Sequence, residues 1–435
     1  MPTTTTDDEA DFLADFHHTT TYGATPAGGI DRQAGTPDHG DVRAWFRERA
    51  TGLGMTVTID AIGNQYATYP WLPDAPSVLA GSHLDSQPLG GRFDGTYGVV
   101  AALHAAARLD RDVRAGRLTP RHNLTVVDWF NEEGARFAPS IMGSSSMAGI
   151  KDTAELLEVT DPDGVTVREA LESIGCLGSD PAPEVASYAE IHIEQGRILE
   201  REQATVGAVT QSWDTRKLVV TVHGEQSHTG ATVMADRHDA LVAAAKIVVM
   251  TEDVVADYTP ESIVTSVGQF SVLPNSPIVV PREVNLVIDL RASDAADVTS
   301  ARRTLVDAIA ALAADRDLRI DVEDFDVRAV QRYPLDGVEL VEKAAADVGV
   351  GARRIATLAG HASVAMDRIA PAGMMFIPSV GGVSHCEREF STDEDMVRGT
   401  DVLTDVVARL VAGDLDDTTP GEPLAETTTD TTNHR

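Results

Sequence analysis

Cysteine is nearly absent from these 435 residues: Cys176 and Cys386 are the only two. That is too few for a disulfide framework, and a reducing cytoplasm is the expected compartment. Lysine is nearly as scarce. Lys151, Lys217, Lys246 and Lys343 are the full set, which leaves 31 arginines among the 35 basic residues. No apolar run reaches the ~18–20 residues of a membrane span, and no basic segment followed by an apolar stretch opens the chain. Acid is abundant: 68 Asp and Glu give a formal charge of −33 and a pI near 4.6. Nucleic acid and anionic membrane are therefore excluded as partners, because both need a basic face. An acidic chain almost without lysine matches proteins that stay soluble in molar salt. At this charge, self-repulsion is expected to be costly in dilute buffer. A merely acidic protein would leave the lysine shortage without a cause.

The 43% hydrophobic content excludes disordered and collagen-like classes, and the length suggests two or three domains. Residues 1–11 and 414–435, rich in Thr, Asp and Pro without apolar periodicity, are expected to be disordered tails. Between them strand and helix signals alternate, which predicts an α/β architecture. Residues 39–53 read as a helix, and 55–69 as a hairpin turning at Gly63-Asn64. Short apolar runs at 77–81, 124–130, 188–193 and 374–377 read as buried parallel strands. Polar sequences follow each of them, HLDS, NEEG, EQG and PSVGGVSH, in the crevice where open α/β sheets place ligands. The middle reads strand, helix, strand, strand, helix, strand over 217–223, 236–256, 263–273, 284–291, 295–315 and 318–327. That order is a ferredoxin-like βαββαβ unit. The predicted domains are a discontinuous catalytic domain, 12–212 and 330–413, and an inserted lid, 213–329, whose edge strand or helices could pair two subunits.

The chemistry concentrates in four places. In GSHLDSQPLGGRFDG (81–95), His83 is a potential metal ligand directly after a strand, and Asp85 can accept its other ring N–H. Asp94 sits in a glycine-rich turn where a carboxylate can bridge two cations. Glu132 and Glu133 end the next strand and point in different directions, so one can ligate while the other handles protons. HIEQG brings His192 and Gln195, and GGVSH brings His385. Singly, each has a plain alternative: a satisfied histidine, or loop acids in an acidic chain. Together, His83, Asp94, Glu133, His192 and His385 are five nitrogen and oxygen donors after strands of one sheet. With Asp94 shared, they suit two divalent ions about 3.5–4 Å apart, of the Zn, Mn, Co or Ni kind, with Glu132 as general base. On the lid, His228 could present an N–H to an oxyanion. Asn275 and Arg291 are there too, and Arg291 could bind a carboxylate bidentately or pair with one of many acids.

The order and wording of GSHLDSQPLGGRFDG, NEEGARF, HIEQG, GEQSHTGATVMADRHDA and FIPSVGGVSHCEREFSTDED resemble the hydantoinase/carbamoylase family of metal-dependent amidases, within the di-zinc aminoacylase and carboxypeptidase clan. GATPAGGIDRQAGTP and DAIGNQYATYP fit as well, so the likeness runs from about residue 16 to 412. The resemblance implies a di-metal α/β catalytic domain with an inserted ferredoxin-like lid through which subunits dimerise. The implied activity is hydrolysis of a linear ureido or carbamoyl C–N bond, as in N-carbamoyl-L-amino acid hydrolases, β-ureidopropionases and allantoate amidohydrolases. By motif, His83, Asp94 and His192 would hold one metal, and Asp94, Glu133 and His385 the other. Glu132 would be the base, Asp85 the orienting acid, and His228 would act on the neighbouring subunit. Gln195, Asn275 and Arg291 would contact substrate. One departure stands out: the family's Gly-His-Asp-Ala is Gly360-His361-Ala362-Ser363 here, which bears on how His361 or the substrate's polar end is held. An aminoacylase or dipeptidase of the same clan, and a catalytically silent metal-binding relative, are the competing expectations.

Overall fold

The computed structural model describes residues 6–421. Helices α1 (Thr6–Thr19) and α2 (Pro37–Gly52) precede β1 (Thr56–Ile59), β2 (Gln65–Tyr69), β3 (Ser77–His83), α3 (Thr96–Arg114) and β4 (Asn123–Trp129). Three short helices, α4 (Met142–Met147), α5 (Thr153–Leu157) and α6 (Val167–Ser173), lead to β5 (Val185–Ile193), α7 (Ile198–Glu202) and β6 (Val206–Ser212). Next come β7 (Asp214–His223), β8 (Ser227–His228), α8 (Ala240–Asp253), β9 (Ile263–Leu273) and β10 (Val279–Val280), then β11 (Glu283–Ala292), α9 (Ala295–Arg316) and β12 (Arg319–Arg328). The last elements are α10 (Leu335–Val348), β13 (Ala352–Thr357), α11 (Ala362–Met366), β14 (Ala372–Ile377) and α12 (Asp393–Ala412). Among the described residues, 6–211 with 332–421 make one compact unit and 212–331 the other.

The first unit is built on an eight-stranded mixed sheet in the order β1-β2-β4-β3-β5-β14-β6-β13. Its centre is parallel: β3 pairs in parallel with β4 and β5, and β5 with β14. Such strands are buried on both faces and read as continuous apolar runs, as Val78–Ala80 and Ile377 with its predecessors do. Helices α3 and α12 pack against these strands. Thr392 accepts the Asp395 N–H to start α12, three acids fill its first turn, and Gly413 at φ 94° ends it.

The second unit is a four-stranded antiparallel sheet in the order β12-β7-β11-β9. Its alternation is clear in β11, where Val284, Leu286, Ile288, Leu290 and Ala292 are buried and the residues between them are not. The buried set packs under α8 and α9 with Ala243, Ile247, Val298, Leu305 and Ile309, at helical spacing along each helix.

The tails need correction. From Thr6 onward the segment expected to be disordered is α1, anchored by Phe12 and Phe16, both fully buried. Asp15 on α1 receives Arg49 at 2.6 Å and lies 2.8 Å from His104, and Asp8 pairs with Arg111. Two aromatics four residues apart bury enough surface to hold a polar helix. At the other end, Leu415 is buried, Asp416 meets His122 at 2.6 Å, and Thr418 donates to Asp336, so 414–421 is docked. Residues 1–5 and 422–435 lie outside the described residues.

Arg32, from the GGIDRQAG stretch, explains why that motif is there. Its fully buried guanidinium donates to the Leu84 carbonyl (2.7 Å), the Thr19 carbonyl (2.6 Å) and Thr96 Oγ1 (2.6 Å). The end of α1, the turn after β3 and the start of α3 are thus tied to one planar fork. A lysine ammonium cannot reach all three directions. Arg32→Lys is expected to lower stability by about 3 kcal/mol, read as a shifted denaturation midpoint; an unchanged midpoint would remove Arg32 from this role.

Candidate metal centre

The parallel strands all deliver chemistry at their carboxyl ends. His83 is the last residue of β3, His192 the penultimate residue of β5, and Glu132 and Glu133 follow β4 after Phe130 and Asn131. His385 sits in the loop after β14, at φ 54° and with its side chain about half exposed (51%). Asp94 lies between β3 and α3. It is followed by Gly95 at φ 62°, where a side chain would run into the His83 ring. Glycine is required there both for the backbone angle and for the close approach.

Asp94 is the centre of the arrangement. Its Oδ1 is 2.9 Å from His192 Nε2 and 3.3 Å from His83 Nε2, and its Oδ2 is 3.3 Å from His385 Nε2. His385 Nε2 is also 3.5 Å from Glu133 Oε2. The result is two donor groups, His83/Asp94/His192 and Asp94/Glu133/His385, each with its ligand atoms within 4.8 Å of one another. Glu132 Oε2 lies 3.5 Å from His83 Nε2, while its Oε1 is buried without a partner.

Electrostatics show that these donors suit cations. Burial pushes the Glu132 carboxyl up to about 8, with Glu133, Asp85 and Glu190 adding to the shift and His83 opposing it. Burial also raises Glu133, with Asp94 adding to it. Burial would lower His385, yet Glu133, Asp94 and Glu389 outweigh it and push the ring up to about 10. A cluster of carboxylates and imidazoles, buried at His83, Asp94 and His192 and open at His385, with no cysteine among them, is the donor chemistry of divalent zinc, manganese, cobalt or nickel.

The role expected for Asp85 changes in one respect. His83 Nδ1 lies 3.0 Å from the Asp85 backbone carbonyl and 3.6 Å from its carboxylate. The carboxylate instead accepts the N–H groups of Glu132 and Glu133, each at 3.2 Å. A backbone oxygen therefore fixes the His83 tautomer, and the acid aims the paired glutamates. Sequence spacing cannot distinguish a residue's carbonyl from its carboxylate, which is why the difference was hidden.

Gln195, at φ 58°, donates to Asp94 Oδ2 at 2.7 Å and to Ser384 Oγ at 3.1 Å, while its Oε1 has no partner. The buried His361 ring stands 4.5 Å from that of His192, with Nε2 unpartnered. Burial, and then His192, hold this ring well below the usual imidazole range. Unpaired buried polar atoms are costly, and Glu132 Oε1, Gln195 Oε1 and His361 Nε2 are three of them around one centre. Ala362 opens α11 and is fully buried. Next to it, the Ser363 N–H donates to Glu190 Oε2 at 2.9 Å and Ser363 Oγ meets Tyr333 at 2.7 Å.

The remaining candidates belong to the second unit. His228, on β8, is exposed, and its Nδ1 accepts the N–H groups of Gly230 (3.0 Å) and Ala231 (3.2 Å). That places the ring proton on Nε2. Asn275 has φ 56° in the loop between β9 and β10. Arg291 grips Asp289 with two nitrogens, at 2.7 and 3.1 Å.

Three supporting residues escaped the sequence reading. Gln87 holds Glu133 through its backbone N–H (3.1 Å) and its amide (2.9 Å). Glu190 receives Ser82 and Ser363. Glu389 receives four donors near Asp94 and His385. Burial, reinforced by Asp94, pushes Glu389 up to about 7. Glutamates inside YAEIHIEQG and CEREF look like ordinary acids in so acidic a chain, and no spacing marks them.

The model of Peptidase family M20/M25/M40 matches residues 79–409. A chain from Mycolicibacterium smegmatis whose name says only that it is a hydrolase is 46% identical, over 95% of this chain and 96% of its own. An N-carbamoyl-L-amino-acid amidohydrolase of Rhizobium meliloti is 34% identical, covering 87% of this chain and 90% of its own. A ureidoglycolate hydrolase of Arabidopsis thaliana is 31% identical, covering 89% and 84%. Among solved structures, a hydantoinase/carbamoylase family amidase from Burkholderia vietnamiensis superposes with a TM-score of 0.89 at 34% identity, covering 93% of this chain and 97% of that one. This chain belongs to the M20/M25/M40 peptidase family, in its hydantoinase/carbamoylase branch, and is a hydrolase of C–N bonds in linear amides.

Proposed function

We propose that the protein hydrolyses the carbamoyl C–N bond of an N-carbamoyl-L-amino acid, releasing the amino acid, ammonia and carbon dioxide. The observation that supports this most is Asp94 shared between two donor groups, with the unpartnered Glu132 Oε1 beside them. His83, Asp94 and His192 would hold one divalent ion, and Asp94, Glu133 and His385 the other. When bound, such ions supply electrophilic polarisation of the ureido carbonyl and of the attacking water.

The chain's own residues do the rest. Glu132 takes a proton from water as the water oxygen bonds to the ureido carbon. The Nε2–H of His228, contributed by the partner subunit of a homodimer, donates to the carbonyl oxygen as it gains charge. Glu132 then delivers its proton to the amino acid nitrogen as the C–N bond breaks, and the carbamic acid released falls to ammonia and carbon dioxide. Asn275 and Arg291 take the substrate carboxylate, Arg291 by exchanging its pairing with Asp289. Gln195 and His361 offer their unpartnered atoms to the ureido end. We place the enzyme in the cytoplasm and in high salt, on the two cysteines and the −33 charge.

The test is a substrate panel with added manganese or zinc, each member run with and without chelator, in molar KCl and in dilute buffer. N-carbamoyl-L-amino acids are expected to turn over, in a chelator-sensitive way and faster at high salt, with the D-isomers, N-carbamoyl-β-alanine, allantoate and ureidoglycolate slower. Preference for one of the latter ureido compounds would move the substrate within the family. Turnover of N-acetyl amino acids or dipeptides alone would reject the ureido reading, and metal binding without any turnover would point to a silent relative.

A further inference from the structure

Glu389 joins the two loops that carry Asp94 and His385, and it does so with one carboxylate oxygen for each. Its Oε1 accepts the backbone N–H groups of Phe93 (2.9 Å) and Asp94 (3.0 Å). Its Oε2 accepts the Ser384 hydroxyl (2.8 Å) and the His385 backbone N–H (3.3 Å). The Asp94 and His385 loops follow β3 and β14, which are not neighbours in the sheet because β5 lies between them. Glu389 is buried, at 3% exposure. Gly91 makes room for it, since a side chain at that position would collide with the Glu389 carboxylate.

The two donor groups depend on this clamp to different degrees. His83 and His192 are set by strands β3 and β5, whose hydrogen-bond ladders fix them independently of any loop. His385 has no strand beneath it, sits at a positive φ and is half exposed. Its position relative to Asp94 is transmitted through Glu389, with Ser384 adding a weaker contact to Asp94 Oδ2 at 3.3 Å.

We propose that Glu389 is a positioning residue that sets the distance between Asp94 and His385 and thereby holds the second of two divalent ions, Asp94/Glu133/His385, in register with the first. This inference rests on the metal-centre reading given under the proposed function. Glu389 does not reach the reacting atoms; it acts through the backbone of the ligands it clamps. Groups that orient metal ligands in this way affect metal affinity by about 10–100-fold.

The experiment compares the full-length wild type with E389Q, using Mn²⁺ as the probe. Glutamine keeps the size but offers one acceptor oxygen and an NH₂ that faces two donors on whichever side it lies. Mn²⁺ binding is measured by calorimetry, and the bound ions are examined by electron paramagnetic resonance. The wild type is expected to bind two ions with an exchange-coupled spectrum. E389Q is expected to keep one at wild-type affinity, to bind the second about 10–100-fold more weakly, and to show the uncoupled spectrum of a single ion. Its unfolding midpoint without metal serves as the control for folding. Two equal, coupled ions in E389Q would overturn the inference. Loss of both ions, or a collapsed midpoint, would also overturn it, because Glu389 would then serve the fold at large. A wild type that binds no Mn²⁺ would sink the metal-centre reading itself, and this inference with it.

Discussion

Replacing Glu132 with Gln is expected to abolish turnover while leaving the metal content unchanged. The substitution keeps the side-chain volume and leaves the backbone N–H bonded to Asp85. Neither donor group includes Glu132, so both should bind divalent ions as before. The amide cannot accept a proton from water or return one to the leaving nitrogen. General acid–base residues contribute about 10²–10⁴-fold, and since one group serves both proton transfers the loss should fall toward the upper end. The checks are kcat on the preferred ureido substrate and metal stoichiometry by elemental analysis. Activity within a few-fold of wild type would reject Glu132 as the base. Lost activity together with lost metal would make it a ligand instead.

Asp94→Ala should have the other large effect, on metal rather than on proton transfer alone. His83→Ala strips one donor group and His385→Ala the other, so each is expected to cost one of two ions. Asp94 belongs to both groups, and its removal is expected to cost both, with activity falling to background. It also takes away the one carboxylate that lies within 3.3 Å of all three imidazoles. Gln195 loses its 2.7 Å partner in the same stroke. Retention of one tightly bound ion in Asp94→Ala would show that the two groups do not share this residue. Excess manganese should rescue His385→Ala more readily than Asp94→Ala, because the former leaves the strand-borne pair His83 and His192 intact.

What the sequence disclosed and what it hid divide along a physical line. The four central strands were legible because parallel strands buried on both faces must be continuously apolar. His83 and His192 were legible because each stands at the carboxyl end of such a run, and Asp94, Glu133 and His385 because they follow such runs in short polar segments. The βαββαβ order of the second unit followed from clean alternation in segments such as EVNLVIDLRA. Contacts that depend on tertiary placement were not visible. Residues 6–11 form a polar stretch whose composition suggested a tail, and the burial of Phe12 and Phe16 just beyond it, with the partners of Asp8 and Asp15, shows the helix to be docked. The three short helices between β4 and β5 have too few turns to declare a period; they cover a small separate core around Phe137, Met142 and Leu171. Glu389 and Glu190 were lost for a different reason. In a chain with 68 acids, one more glutamate carries no signal until its donors are seen.

The way residues 212–331 join the rest has a consequence for the cost of closing so long an excursion. The chain leaves the first unit at Gln211 and re-enters it at Arg332, and these two residues form a β-bridge. Just inside the second unit, the Ser212 N–H reaches the Gln331 carbonyl at 2.9 Å and the Gln331 N–H reaches Ser212 Oγ at 2.9 Å. Departure and return are therefore side by side, like the two stubs of a hairpin whose loop happens to be a whole domain. The flanking strands need to span the same short gap whatever is spliced between them, so loop-closure cost hardly grows with what is inserted. A change of length within the 120-residue stretch therefore adds little to the cost of bringing Gln211 and Arg332 together.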